Sequence, residues 1–104
     1  LKEIGIDLID CSGGGSTPKA NIPIGPGYQV PFSETIRKSV SIPTASVGLI
    51  TEPFQADQII RNGQADMVFL GRAFLRDPYW PYRAAITLGH KEKSYTPKQY
   101  HRAM

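Results

Sequence analysis

The chain has 104 residues, room for one domain, and a formal charge of only +3 with no block of Lys or Arg, so no nucleic-acid partner is indicated. No apolar run approaches the roughly eighteen residues of a membrane span and no stretch reads as a signal peptide, so no membrane partner is expected. A single cysteine, Cys11, has no internal disulfide partner, which favours a reducing, cytoplasmic compartment.

The chain opens in mid-pattern. Leu1-Lys2-Glu3-Ile4-Gly5 reads as the last turn of a helix whose beginning is missing, which suggests a piece of a longer protein. Residues 6–11 (IDLIDC) form the first expected strand. Asp10, near its end, either binds a ligand or caps a neighbouring N–H. Residues 12–18 (SGGGSTP) follow as a Gly-rich loop. As a phosphate motif this loop is weak, because the GxGxxG spacing is absent and no helix pattern follows. Residues 19–31 have no period, and Pro23, Gly25, Pro26, Gly27 and Pro31 argue against a long helix or a central strand. In this long loop Tyr28 and Gln29 are candidates either to face a ligand or simply to pack.

Ser33 is expected to cap the next helix, with Phe32, Ile36 and Val40 on one face, and Ile42-Pro43 stops it. Residues 44–47 (TASV) form the second strand, ending at Gly48. Pro53 begins a helix in which Ala56, Ile59 and Ile60 recur at i, i+3 and i+4, and Asn62-Gly63 closes it with a left-handed cap. Residues 67–70 form a third strand within an apolar run, of the kind buried on both faces of a parallel sheet. Gly71 and Arg72 follow at once. A strand ending in Gly-Arg suits an anion: glycine lets the backbone approach, and the turn N–H groups and the guanidinium face one point. The plainer alternative is a tight turn beside a surface arginine. Asp77-Pro78 then opens a helix through Tyr82, Ala85, Ile86 and Leu88, ended by Gly89. Residues 90–96 are polar, and residues 97–104 suit one last helical turn.

Strands alternating with helices mean βαβ units and a parallel sheet, part of either a doubly wound fold or a barrel. The first βα loop lacks a dinucleotide fingerprint, whereas two successive strands end in Gly48 and Gly71. Loops after the last two strands of a TIM barrel commonly hold phosphate. The expected fold class is therefore α/β, the C-terminal third of a TIM (β/α)8 barrel, about its last three βα units.

Several strings of the chain then resemble one known family: Asp7-Leu-Ile-Asp-Cys-Ser-Gly-Gly, Pro26-Gly-Tyr-Gln-Val-Pro-Phe, Val47-Gly-Leu-Ile-Thr, and the run from Ala65 to Pro78 with its Gly-Arg-Ala-Phe-Leu-Arg-Asp-Pro. They resemble the C-terminal third of the old yellow enzyme family, and most of all its bacterial thermophilic-like subgroup. The likeness runs in register over essentially the whole chain, including Tyr100-His-Arg of the tail. It implies that residues 1–104 are strands six to eight and the tail of an FMN-dependent barrel. Such a barrel takes hydride from NADPH (or NADH) and reduces the activated C=C bond of a small enone-like substrate.

Carried over by position, Gly48 and Leu49 after strand seven and Gly71 and Arg72 after strand eight hold the FMN phosphate. Ser12, at the end of strand six, lies near the ribityl chain. Tyr28 and Arg102 belong to the substrate side, with Arg102 entering a neighbouring subunit's site in a homo-oligomer. The tail departs from the subgroup's usual Arg-Gly-Trp, reading Arg102-Ala103-Met104. The family's His-His or His-Asn pair, its tyrosine proton donor and its flavin-tuning cysteine lie upstream. His90, His101 and Cys11 do not match them, so no catalytic residue is expected in this chain. Two alternatives stay open: another FMN barrel such as a dihydrouridine synthase, or a phosphate-binding partial barrel without catalysis.

Overall fold

A computed structural model describes residues 1–13, 25–90 and 97–103. Most of the Gly-rich loop and the polar stretch at 91–96 lie outside the described residues. A 3-10 turn at Lys2–Ile4 is closed by Gly5 at φ 92°, as its sequence suggests. Then come β1 (Ile9–Cys11), α1 (Val30–Val40), β2 (Thr44–Ser46), α2 (Pro53–Arg61), β3 (Met67–Val68), α3 (Arg72–Arg76), α4 (Trp80–Thr87) and a closing 3-10 segment, Lys98–Ala103. The three strands are parallel in the order β1-β2-β3. The α/β parallel arrangement matches the alternating pattern of the sequence.

Register decides what each face does. Cys11, Ser46 and Val68 pair across the sheet, as do Asp10, Ala45 and Met67 one residue earlier. Side chains alternate along a strand, so the two rows face opposite ways. The first row faces the helices: Cys11 and Ser46 are buried, Val68 packs on the core, and the Thr44 hydroxyl, two residues before Ser46, lies 3.4 Å from the Ser33 carbonyl of α1. Behind this row Val30, Ile50, Ala56, Ile59 and Ala65 form the core, with Leu70 and Trp80 packed against it. Each buried Val or Ile contributes about 1.5–3 kcal/mol relative to exposure. The second row faces away from the helices, and there Met67 is 48% exposed. The third strand is thus covered on one face, not on both as the apolar run suggests. It is also, with β1, one of the two edge strands of the three described.

Two helix starts differ from the sequence reading. Ser33 does not cap α1; the helix begins three residues earlier at Val30, with Pro31 in its first turn. Proline is tolerated there because the first N–H groups of a helix have no partner to lose. Ser33 is instead wholly buried, its hydroxyl 2.8 Å from the Val30 carbonyl and 2.9 Å from that of Gln64, donating to one at a time. With the helix turned this way, Phe32 and Val40 face solvent and Val30 and Ser33 face inward. Asp77-Pro78 does not begin α4 directly either. The short helix α3 comes first, its Phe74 and Leu75 N–H groups donating to the Gly71 carbonyl. Asp77 accepts the Tyr79 N–H at 3.1 Å, and α4 starts at Trp80 with Pro81 in its first turn. Elsewhere Pro53 opens α2 as expected, Gly63 follows it at φ 70°, and Gly89 follows α4 at φ 83°.

Candidate functional site

The ends of β2 and β3 open on a cleft of about 410 Å³. Tyr28, Gly48, Leu49, Gly71, Arg72 and Arg76 are among its lining residues. Five of these six are the residues that the sequence singles out, and parallel pairing is what brings them together. Because β2 and β3 run side by side in the same direction, the turns that follow them emerge at the same edge of the sheet.

The two glycines serve different ends. Gly48 has φ 120°, and a Cβ there would lie 2.8 Å from Gln29 Nε2 and 2.8 Å from Tyr28 Cε1. Only glycine fits between that backbone and the two side chains. At Gly71 a Cβ would meet no protein atom within 4 Å. What glycine leaves free at Gly71 is space beside the cleft, not room for a neighbour in the fold.

Charge in the cleft is one-sided. Arg37, Arg61 and Arg83 each face a carboxylate, at 3.0, 2.6 and 3.1 Å. Arg72 and Arg76 have no such partner among the described residues. Four residues apart on one helix, they stand on the same side of it. The backbone N–H groups of Gly48, Leu49, Ile50, Gly71 and Arg72 likewise donate to no other described residue. Unpaired N–H groups and uncompensated guanidinium groups around one concavity are what an anion with several oxygens needs. Trp80 fixes one wall, donating its indole N–H to the Thr51 carbonyl at 2.8 Å and so tying α4 to the loop after β2.

Other residues fall elsewhere. Ser12 is exposed just past β1 and does not line this cleft, nor does Arg102, exposed on the closing 3-10 segment. Asp10 is exposed and caps no N–H among the described residues. Cys11 is buried, and burial, with Asp10 beside it, pushes its thiol above the ordinary range. It stays a protonated packing residue at neutral pH. Among the described residues no group of three or more His, Cys, Asp or Glu is placed to hold a metal, and no helix is long and apolar enough to cross a membrane. Sequence reasoning missed Arg76. Its signal was there, as the second arginine of Arg72-Ala-Phe-Leu-Arg76, but it needs the unexpected helix α3 to bring it to the cleft.

A sequence model of the NADH:flavin oxidoreductase / NADH oxidase family matches residues 1–91. The chain is 55% identical over 102 residues to an NADPH dehydrogenase of Geobacillus thermodenitrificans, covering 98% of this chain and 29% of that protein. It is 60% identical over 89 residues to an NADPH dehydrogenase of a Geobacillus species (strain WCH70), covering 86% and 26%. With an NADPH dehydrogenase of Halalkalibacterium halodurans it shares 52% identity over 103 residues, covering 99% and 30%. The chain thus spans less than a third of the length of the curated relatives it matches. On this evidence, and in keeping with its old yellow enzyme motifs, the chain belongs to the NADH:flavin oxidoreductase / NADH oxidase family.

Proposed function

We propose that this chain is the phosphate-holding part of an FMN-dependent NAD(P)H oxidoreductase, built from strands six to eight of a (β/α)8 barrel and the tail that follows. The observation that carries the reading is the cleft itself, where Gly48, Leu49, Gly71 and Arg72 meet around unpaired N–H groups and two guanidinium groups without carboxylates. FMN ends in a phosphate dianion, and this donor set fits it: N–H groups for its oxygens, Arg72 and Arg76 for its charge, and no carboxylate among the lining residues to repel it. When bound, FMN supplies hydride transfer from NADPH or NADH to the activated C=C bond of a small enone-like substrate.

The residues of this chain bind and orient; none of them is assigned a proton-transfer role. Tyr28, half-buried on the same cleft, and Arg102, on the tail, are assigned to the substrate side, Arg102 through a second subunit. Ser12 is assigned to the ribityl chain.

Flavin fluorescence tests the reading. FMN titrated with the intact protein should be quenched to saturation, and Arg72→Ala should weaken that binding. No quenching, or equal binding by the variant, would sink it.

A further inference from the structure

We infer that Gln29 is a positioning residue for the anion site: with Gly27 and Gln55 it fixes the successive peptide planes whose N–H groups face the cleft. This rests on the FMN reading above.

Gln29 sits at the start of α1, 4% exposed, and both halves of its amide are used. Its Oε1 accepts the Gly13 N–H at 2.6 Å, and its Nε2 donates to the Val47 carbonyl at 2.9 Å. One buried side chain therefore joins the ends of β1 and β2. The next two carbonyls are held as well. The Gly27 N–H donates to the Gly48 carbonyl at 3.2 Å, and Gln55 Nε2 donates to the Leu49 carbonyl at 3.1 Å.

In a planar trans peptide the C=O and the following N–H point in opposite directions. No peptide here is cis. Three carbonyls in a row are bound by donors from the entry to α1 and from α2. The N–H groups of Gly48, Leu49 and Ile50 are therefore turned away from those donors, and all three residues line the cleft. Gly48 and Leu49 also both have positive φ, 120° and 49°. Leucine avoids that region unless its surroundings hold it there. Successive N–H groups splayed in this way form an anion-binding concavity. Gln29 thus touches no reacting atom; it presets the direction of donors that would otherwise have to be ordered when the ligand binds.

The experiment compares FMN with riboflavin, which lacks the phosphate, on the intact protein. Gln29→Glu keeps the shape and an acceptor for Gly13 but gives up the donor to Val47. Gln29→Met gives up both at similar volume. The expected result is an FMN affinity lower by about tenfold or more in both variants, with riboflavin affinity within about twofold of wild type. A parallel fall in both affinities would overturn the inference, as would an unchanged preference for FMN. Loss of folding in both variants would overturn it too, since Gln29 would then hold the fold rather than aim donors. A wild type that binds FMN and riboflavin equally would instead overturn the phosphate reading itself.

Discussion

Arg37 of α1 donates to Asp66, just before β3, at 3.0 Å, and the same carboxylate oxygen accepts the Thr44 N–H of β2 at 3.0 Å. One carboxylate thus joins a helix and two strands at the end of the sheet opposite the cleft. The Arg37 guanidinium, and then the Thr44 N–H, hold the Asp66 carboxyl below the usual carboxylate range. A folded pKa below the unfolded one contributes stability above the unfolded value and loses it as pH falls through the folded value. The Asp66 side chain is 36% exposed, so screening keeps the contribution to about 1 kcal/mol or less. Melting temperatures of wild type and Asp66→Asn should differ near neutral pH and converge below about pH 4. A gap that does not change with pH would exclude the linkage.

Gly48→Ala and Gly71→Ala should separate folding from binding. The first places a Cβ 2.8 Å from two side chains at φ 120° and should destabilise by about 1–3 kcal/mol. The second meets no protein atom within 4 Å, so its stability should stay within about 0.5 kcal/mol of wild type. Its FMN affinity should nevertheless fall, because the added methyl takes space beside the cleft. Thermal melts with FMN titrations check both; a Gly71→Ala protein that binds FMN normally would show that this space is not used.

Trp80→Phe should cost about 1–3 kcal/mol, because it leaves the Thr51 carbonyl without its donor and trims a ring packed on the core. Trp80 is the sole tryptophan, so its fluorescence in the wild type reports directly on the docking of α4. Urea denaturation followed by circular dichroism gives the loss. A midpoint unchanged in Trp80→Phe would mean that the hydrogen bond does not matter to α4.

Much of this was legible in the sequence, and the limits have physical causes. Pro53, Gly63 and Gly89 mark helix boundaries because proline and left-handed glycine restrict the backbone locally. Gly48, Gly71 and Arg72 stand out because they follow parallel strands, whose turns share one edge of the sheet; Leu49 enters only through the old yellow enzyme resemblance. Ser33 misled because serine at a cap and serine buried between two carbonyls look alike in sequence; long-range contact with Gln64 separates them. Phe32 and Val40 misled with it, since a helix begun three residues earlier turns a different face inward. Met67 is exposed because burial of a strand depends on what lies beside it, which its own apolar run does not encode. In sequence Gln29 reads only as a residue that either faces a ligand or packs. Its bonds to Gly13 and Val47 span sixteen and eighteen residues, beyond any local pattern.

Arg76 offers the sharpest test of the charge argument. It lines the cleft with Arg72, and neither faces a carboxylate among the described residues. If both guanidinium groups act on the same phosphate, each removal should weaken FMN and spare riboflavin. Arg72→Ala, adjoining the unpaired N–H of Gly71, should lower FMN affinity by about ten- to a hundredfold, the worth of a hydrogen bond to a charged group. Arg76→Ala, acting from one turn further along α3, should lower it by only about two- to fivefold, with an effect that fades as salt is raised. Removing either arginine also relieves its repulsion with the other and so softens each single loss; the double variant gains that relief only once and should lose more than the sum of the two single losses. Strict additivity would place the two arginines on separate ligands, and an Arg76→Ala protein with wild-type FMN affinity at low salt would remove Arg76 from the site.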